Sequence, residues 1–352
     1  MATPSKQQSR HPRNVDAYRP IPKVEMHCHL LGAVAATTVV ELGIKHDVPL
    51  RTRDPGQLYV YYDFLGLVDI LTDVAATLKE EEDFSRIAYE VVKKGYEQDR
   101  ILYRELFFQP SYHALFGVPY RTVIDGLVDG IQRAEREFDT RARLIAGINR
   151  QLPGRVAYYL VEEMIAHSSE YVIGIGLEDY ELYGPPDMFV EAYELAHRHG
   201  LHRTAHAGEH GPAENVVRCL SRLKCERIDH GYHLTDDPSS LYRLAENGVH
   251  FTVCPTVCNR QGWSRPEGHV LKRMHEAGLW LSVNTDDPVI VRTSLSREYA
   301  LAADAMDLSV GDMADLALRA IDATWLDDSE KAALRQRFEQ ETSALDLTPA
   351  AS

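Results

Sequence analysis

KVEMHCHLLG (residues 23–32) runs from an apolar, strand-like stretch into two histidines one residue apart, His27 and His29, around Cys28. Alternate side chains of an extended strand share a face, so both imidazoles point the same way at the strand's end. Taken alone, the pair is as readily an ordinary polar strand terminus as a two-nitrogen clamp. Working outward, seven further short apolar runs follow: RILYRELFF (100–108), RLIAGINR (143–150), YVIGIGL (171–177), RTAHAGE (203–209), CERIDHG (225–231), VHFTVCP (249–255) and LWLSVNTDD (279–287). Between them lie stretches of helical period such as RTVIDGLVDGIQRAEREF and PDMFVEAYELAHRHG, the second ending on Gly200, a residue suited to close a helix. Eight strand and helix alternations over about 250 residues predict an α/β chain folded as a (β/α)8 TIM barrel, with its chemistry at the C-terminal strand ends.

Residues 1–20 carry no apolar stretch and are expected to form a disordered polar arm, 21–346 a single barrel domain, and 347–352 a short tail. Two segments exceed a minimal barrel. Residues 47–98 read as a helical insertion after the first βα unit, placed to lid the barrel mouth. Residues 295–345 read as a C-terminal helical tail, with Ser309-x-x-Asp312 and Asp327-x-x-Glu330 as helix starts. The formal charge of −15 argues against a nucleic-acid partner, which would demand a basic face. No run is long and apolar enough for a membrane span, and five unpatterned cysteines suit reduced thiols in a cytoplasmic protein. Small molecules are the expected partners, with a homo-oligomer possible.

The other strand ends break the tie over the two histidines. His206 and Glu209 close the fifth run, Asp229 and His230 the sixth, Asp286 and Asp287 the eighth. Barrel topology would bring them to one rim. Three imidazoles and a carboxylate suit Zn²⁺, which lowers the pKa of a bound water to around 7. A nearby Glu could relay a proton and a further His could orient the nucleophile. Cys254-x-x-x-Cys258 has the spacing of neither a zinc ribbon nor a redox pair, and the H-x-E and P-C-x-x-C motifs of the small nucleobase deaminases are absent.

With PKVEMHCHLLG, YRELFFQP, TAHAGE, ERIDHG, TVCP and VNTDDP in order, residues 22–299 resemble the adenosine/adenine deaminase family of metal-dependent amidohydrolases. The resemblance implies one Zn²⁺ per chain, held by His27, His29, His206 and Asp286. Zinc-bound hydroxide would attack C6 of a 6-aminopurine, be it adenine, adenosine or a modified adenosine, to give the 6-oxopurine and ammonia. Glu209 would protonate N1, His230 with Asp286 would orient the hydroxide, and Asp287 would bond N7. Leu31 stands where family members carry an acid that, in adenosine-specific enzymes, reads the ribose 5′-hydroxyl. The run from Gly176 through Asp179 replaces the D-L-A-G-D-E of adenosine-type enzymes and looks closer to the adenine-deaminase branch, with Asp179 facing N3 or N9. Alternatives are a zinc amidohydrolase acting on another aminated heterocycle and a non-catalytic nucleoside-binding barrel. A bimetallic hydrolase bridged by a carboxylated lysine is disfavoured, since YVIGIGLEDY holds no Lys.

Overall fold

The computed structural model describes residues 14–265 and 268–345. Its eight-stranded parallel sheet follows chain order: β1 (Lys23–His29), β2 (Ile101–Phe108), β3 (Arg141–Asn149), β4 (Val172–Glu178), β5 (His202–Ala207), β6 (Arg227–His230), β7 (His250–Val253) and β8 (Trp280–Val283). With the interior on one face and helices on the other, β1 and β2 are buried at every residue, which is why they read as continuous runs rather than alternating ones. The structure is the expected (β/α)8 barrel. The later strands are shorter than their sequence runs, so Glu209, Asp286 and Asp287 lie in loops just past strand ends.

Closure is unlike the other seven joints. Between Glu25 and Cys28 the register of β1 against β2 slips, leaving an extra residue on β1. The amides freed there, of Met26 and His27, both donate to Asn284 Oδ1, at 2.8 and 3.1 Å. One residue on, Asp286 N donates to His27 O and His29 N to Asp286 O, at 3.1 and 2.7 Å, forming an isolated parallel bridge between Cys28 and Asp286. One side-chain amide and one bridge therefore shut the barrel beside the two histidines.

The segment expected to cover the mouth contains α1 (Phe64–Ala76), capped by Asp63, and then α2 (Glu81–Asp99), the helix that leads back to β2. α2 packs on α3 (Tyr120–Glu137) closely enough that a Cβ on Gly126 or Gly130 would meet the Glu81 or Ser85 carbonyl oxygen at 2.3 or 2.1 Å. The tail forms helices Leu295–Met306, Val310–Ala320 and Asp328–Thr342. The last two open with the anticipated capping boxes, Ser309 with Asp312 and Asp327 with Glu330.

One boundary needs correcting. Of the expected arm, residues 1–13 lie outside the described residues, as do residue 346 and the 347–352 tail, but Val15–Tyr18 is a 3-10 turn with Tyr18 buried. The cause is Lys23, wholly buried at the start of β1, whose ammonium donates to the carbonyls of Tyr18, Ile21 and Asp99 at 2.5, 2.6 and 3.0 Å. A buried charge needs such acceptors, and this one draws the preceding segment onto the barrel.

Asn284→Ala removes the side-chain oxygen that accepts from two buried amides at the closing seam. A loss of about 2–5 kcal/mol of unfolding free energy is expected, read as a lowered midpoint in urea at unchanged slope.

Candidate active site

Three strand ends, of β1, β5 and β8, bring the four candidate ligands together. His27 Nε2 and His29 Nε2 each lie 3.1 Å from His206 Nε2, and Asp286 Oδ1 lies 3.7 and 3.4 Å from the first two. His27, His29, His206 and Asp286 are all buried. Three imidazole nitrogens facing one another this closely cannot all be satisfied by mutual hydrogen bonds. About 3.4 Å is the edge of a tetrahedron with metal–ligand bonds near 2.1 Å, so the donor set fits a divalent cation.

Electrostatics gives the same answer. Burial lowers the His27 pKa well below its ordinary value, keeping the lone pair a ligand needs. At His29 burial also works to lower it, but Glu178, Asp287 and Asp286 prevail and push it up to about 10. Burial, then the neighbouring Asp287, push Asp286 well above the usual carboxylate range. Such a carboxylate-rich pocket calls for positive charge, and a metal ion supplies it.

The residues behind the ligands fix their orientation. His27 Nδ1 lies 3.0 Å from Thr252 Oγ1, which donates to Asp229 Oδ1 at 2.7 Å. Asp229 Oδ2 accepts from Thr204 Oγ1 at 2.9 Å and lies 3.4 Å from His206 Nδ1, so one buried carboxylate serves two imidazoles. His29 Nδ1 lies 2.8 Å from the Gln109 amide nitrogen and 3.3 Å from Glu178 Oε2. Each contact turns Nε2 inward. Arg150 Nη2 donates to His206 O at 2.6 Å, and the Phe107 ring packs against His27, His29 and His206 with centroids 5.5, 4.9 and 5.5 Å away.

Above the cluster opens a cavity of about 440 Å³. Glu209, Asp287, His230 and Asp179 line it, while α1 and the residues before it contribute Tyr61, Phe64, Leu67 and Leu71. Glu209 Oε1 accepts from Gln261 Nε2 at 2.6 Å, and its Oε2 lies 3.2 Å from His210 Nδ1 and 3.6 Å from His230 Nε2. Burial works to raise the Glu209 pKa, but His230 and His210 outweigh it and hold it well below the usual range. Asp179 accepts from Tyr112 at 2.7 Å, and burial, then Glu178, raise its pKa to about 7. His230, Asp286 and Asp179 all have positive φ, at 72, 66 and 68°, so the chain turns sharply where each side chain is aimed. Asp287 fits because residue 32 is glycine: a Cβ there would lie 1.8 Å from Asp287 Oδ1.

Two expected substrate contacts lie elsewhere. Leu31 is 1% exposed and Gly176 is likewise buried, and neither lines the cavity. Leu31 belongs to the hydrophobic core, in the short helix Leu30–Ala33 that turns away after His29. Gly176 makes room for Phe107, whose Cε1 would lie 2.3 Å from an added Cβ. Its support for the ligand rings is indirect, through Phe107. Residues not anticipated are Thr252, Phe107, Tyr112, Gln261 and Arg260. Gln109 lay inside the quoted ELFFQP motif without a role.

A family model described as adenosine deaminase matches residues 22–341. The adenine deaminase of Cupriavidus metallidurans is 32% identical over 96% of each chain, and that of Cupriavidus necator 34% identical over 89% of this chain and 90% of its own. Among solved structures, an amidohydrolase from Burkholderia ambifaria with bound Zn superposes with a TM-score of 0.86 at 32% identity, covering 94% of this chain and 93% of its own. The adenine deaminase of Arthrobacter aurescens gives 0.86 at 27% identity, covering 92% and 100%.

Thr252→Val should weaken divalent-metal binding by about 10–100-fold in a chelator competition, because His27 loses its oriented partner. Gly32→Ala should lower turnover and metal content together, read by activity assay and metal analysis, since an added Cβ would lie 2.6 Å from the Cβ of Asp287, next to Asp286.

The eight parallel strands, the four converging ligand side chains and relatives matched along nearly the whole chain place it in the adenosine deaminase family, as a hydrolytic deaminase on an amidohydrolase barrel.

Proposed function

We propose that this protein hydrolyses the exocyclic amino group of a 6-aminopurine, with zinc held by His27, His29, His206 and Asp286. The observation that carries the reading is the juxtaposition of that donor cluster with Glu209, His230 and Asp287 on one cavity floor. Bound zinc would lower the pKa of a water and supply a nucleophile at neutral pH. The side chains around it would do the rest. Glu209, held ionised by two imidazoles, takes a proton from solvent and delivers it to N1, which draws electrons from C6 as water adds there, and it recovers that proton from the C6 hydroxyl as the carbonyl forms. His230 takes a proton from the attacking water and returns one to the departing amine, so ammonia leaves and the 6-oxopurine remains. Asp287, its pKa raised chiefly by burial, can donate to the N7 lone pair.

Free adenine is the substrate this reading favours. Glu178 and Asp179 both line the cavity beside Asp287. Such an acceptor-rich wall suits a base that presents N–H groups, and N9 of a riboside carries none. The curated relatives named above are adenine deaminases. A nucleotide substrate is the second reading, since Arg260 offers a guanidinium at the cavity wall and Arabidopsis structures of 25 and 26% identity were solved with GMP and IMP.

Ammonia release from adenine, adenosine and AMP by the zinc-loaded protein tests both readings. Chelator-sensitive release from adenine is expected. Release from AMP alone would transfer the assignment to the nucleotide, and release from none of the three would overturn the 6-aminopurine reading. Glu209→Gln should lower turnover by at least about 100-fold with one zinc retained, since its role is to move protons.

A further inference from the structure

We propose that Glu181 is a positioning residue that fixes the loop carrying Glu209, its buried carboxylate gathering the main-chain amides around the point from which that side chain enters the cavity. The proposal rests on the reading of Glu209 as proton carrier and adds the means by which the chain holds it in place.

Glu209 belongs to no strand or helix. β5 ends at Ala207 and the next helix spans Ala213–Arg222, so the proton carrier sits on the loop between them. Such a loop has no ladder to fix it, and its buried amides need acceptors. Glu181, from the loop after β4, supplies them. It is 2% exposed; its Oε1 accepts from Gly208 N at 2.9 Å, and its Oε2 from Glu209, His210 and Gly211 N at 3.0, 2.9 and 2.7 Å. Asn215 Nδ2, in the first turn of the helix beyond, also donates to Oε1, at 2.9 Å. Consecutive amides converging in this way form an anion-binding nest, and here the anion is the chain's own carboxylate.

The loop is shaped to its occupant. Gly208 takes φ 67°, a conformation that suits glycine, and a Cβ on Gly211 would lie 2.6 Å from Glu181 Oε1 and 2.5 Å from Asn215 Nδ2.

The position of Glu181 ties it to the reaction. One of its oxygens holds the amides of both Glu209 and His210, and the His210 ring lies 3.2 Å from Glu209 Oε2, so the proton carrier and its imidazole neighbour are set from a single atom. Gln261 then fixes the other oxygen of a side chain whose main chain is already in place. Glu181 also follows Asp179 by two residues, so the loop that lines the cavity wall and the loop that moves protons are joined through this one carboxylate. A proton donor must lie within hydrogen-bond reach of its target, which makes the placement of this loop a condition for protonating N1.

Glu181→Gln keeps the shape of the side chain but turns an NH2 group toward amide N–H groups, so part of the nest loses its acceptor. With whichever 6-aminopurine the wild-type protein deaminates, kcat should fall about tenfold or more and KM stay within about threefold, at unchanged metal content. A double-mutant cycle separates positioning from general support: added to Glu209→Gln, Glu181→Gln should cost at most about twofold more, because the group it places is already disabled. An equal further loss in both backgrounds would overturn the proposal, as would loss of metal along with kcat. Amide hydrogen exchange reads the loop without substrate. The amides of residues 208–211 should exchange as slowly as those of β5 in the wild-type protein, and at least about tenfold faster in Glu181→Gln, with β1 and β8 unchanged. Fast exchange in the wild-type protein, or undiminished protection in the variant, would overturn the proposal. Should Glu181→Gln fail to fold, Glu181→Asp, which keeps the charge but draws it back from the nest, is read in its place. A Glu209→Gln protein with full kcat would sink the reading of Glu209 and the catalytic link with it, while the exchange data still decide whether Glu181 fixes the loop, so the two failures are told apart.

Discussion

The seam between β1 and β8 is the constraint on which the site depends. Seven strand pairs zip along ladders, but the eighth joint is made by Asn284 reaching into a bulge of β1 and by one bridge at Cys28 and Asp286. Both backbone bonds beside that bridge run between candidate metal ligands: His27 O accepts from Asp286, and His29 N donates to it. The spacing of three ligands is thus set by main-chain geometry, which is stiffer than any arrangement of side chains on separate loops. His206 enters from β5 and is held separately, by Asp229 at its ring and Arg150 at its carbonyl. Closing the barrel and assembling the donor set are the same event.

Buried charge is distributed in two ways. In the ion pairs Glu25 with Arg104 and Glu105 with Arg227, carboxylate and guanidinium neutralise each other, and Trp325 stacks on the Arg227 guanidinium 3.8 Å away. These pairs serve the scaffold. Around the cavity, among the described residues, Glu178, Asp179, Glu209, Asp286 and Asp287 have no arginine hydrogen-bonded to them, and burial with neighbouring carboxylates raises the pKa of Asp179, Asp286 and Asp287. Such groups are relieved by taking up a proton, or by something positive or rich in N–H donors entering. A metal would answer the part nearest His27, His29 and His206, leaving Glu178 and Asp179 at the cavity wall.

Strand count and barrel class were legible because apolar runs mark the strands, and the candidate metal donors could be named because H-x-H, HAGE and TDDP sit just where those runs stop. Other features carry no such mark. Phe107 and Thr252 look like ordinary strand residues, and only the barrel's curvature shows that one packs against three imidazoles while the other relays a bond from His27 to Asp229. Leu31 misleads for a different reason. It was named because it stands where the resembled family carries an acid, but here an apolar residue at that position packs into the core of the short helix that begins at Leu30. Gly176 misleads because a missing side chain can admit a ligand or a neighbour, and here the neighbour is Phe107. The N-terminal turn was hidden as well, since a polar segment gives no hint that buried Lys23 needs its carbonyls.

The cover of the site is tied to its acid. Phe64, at the start of α1, stacks near Tyr180 and His210, with centroids 5.1 Å from each. His210 in turn faces Glu209, and Gln261, from the loop after β7, holds the other oxygen of that carboxylate while accepting from Trp263. Arg260 beside it donates to Tyr61 just ahead of α1 and to the Val291 carbonyl beyond β8. Cover and floor are therefore one hydrogen-bonded and stacked assembly. Displacing α1 to admit a ligand would remove Phe64 from His210 and with it part of the setting that keeps Glu209 ionised. Excluding water strengthens every charge interaction inside the cavity, so an apolar cover that also positions the proton carrier makes the electrostatics strongest when the reacting groups are in place.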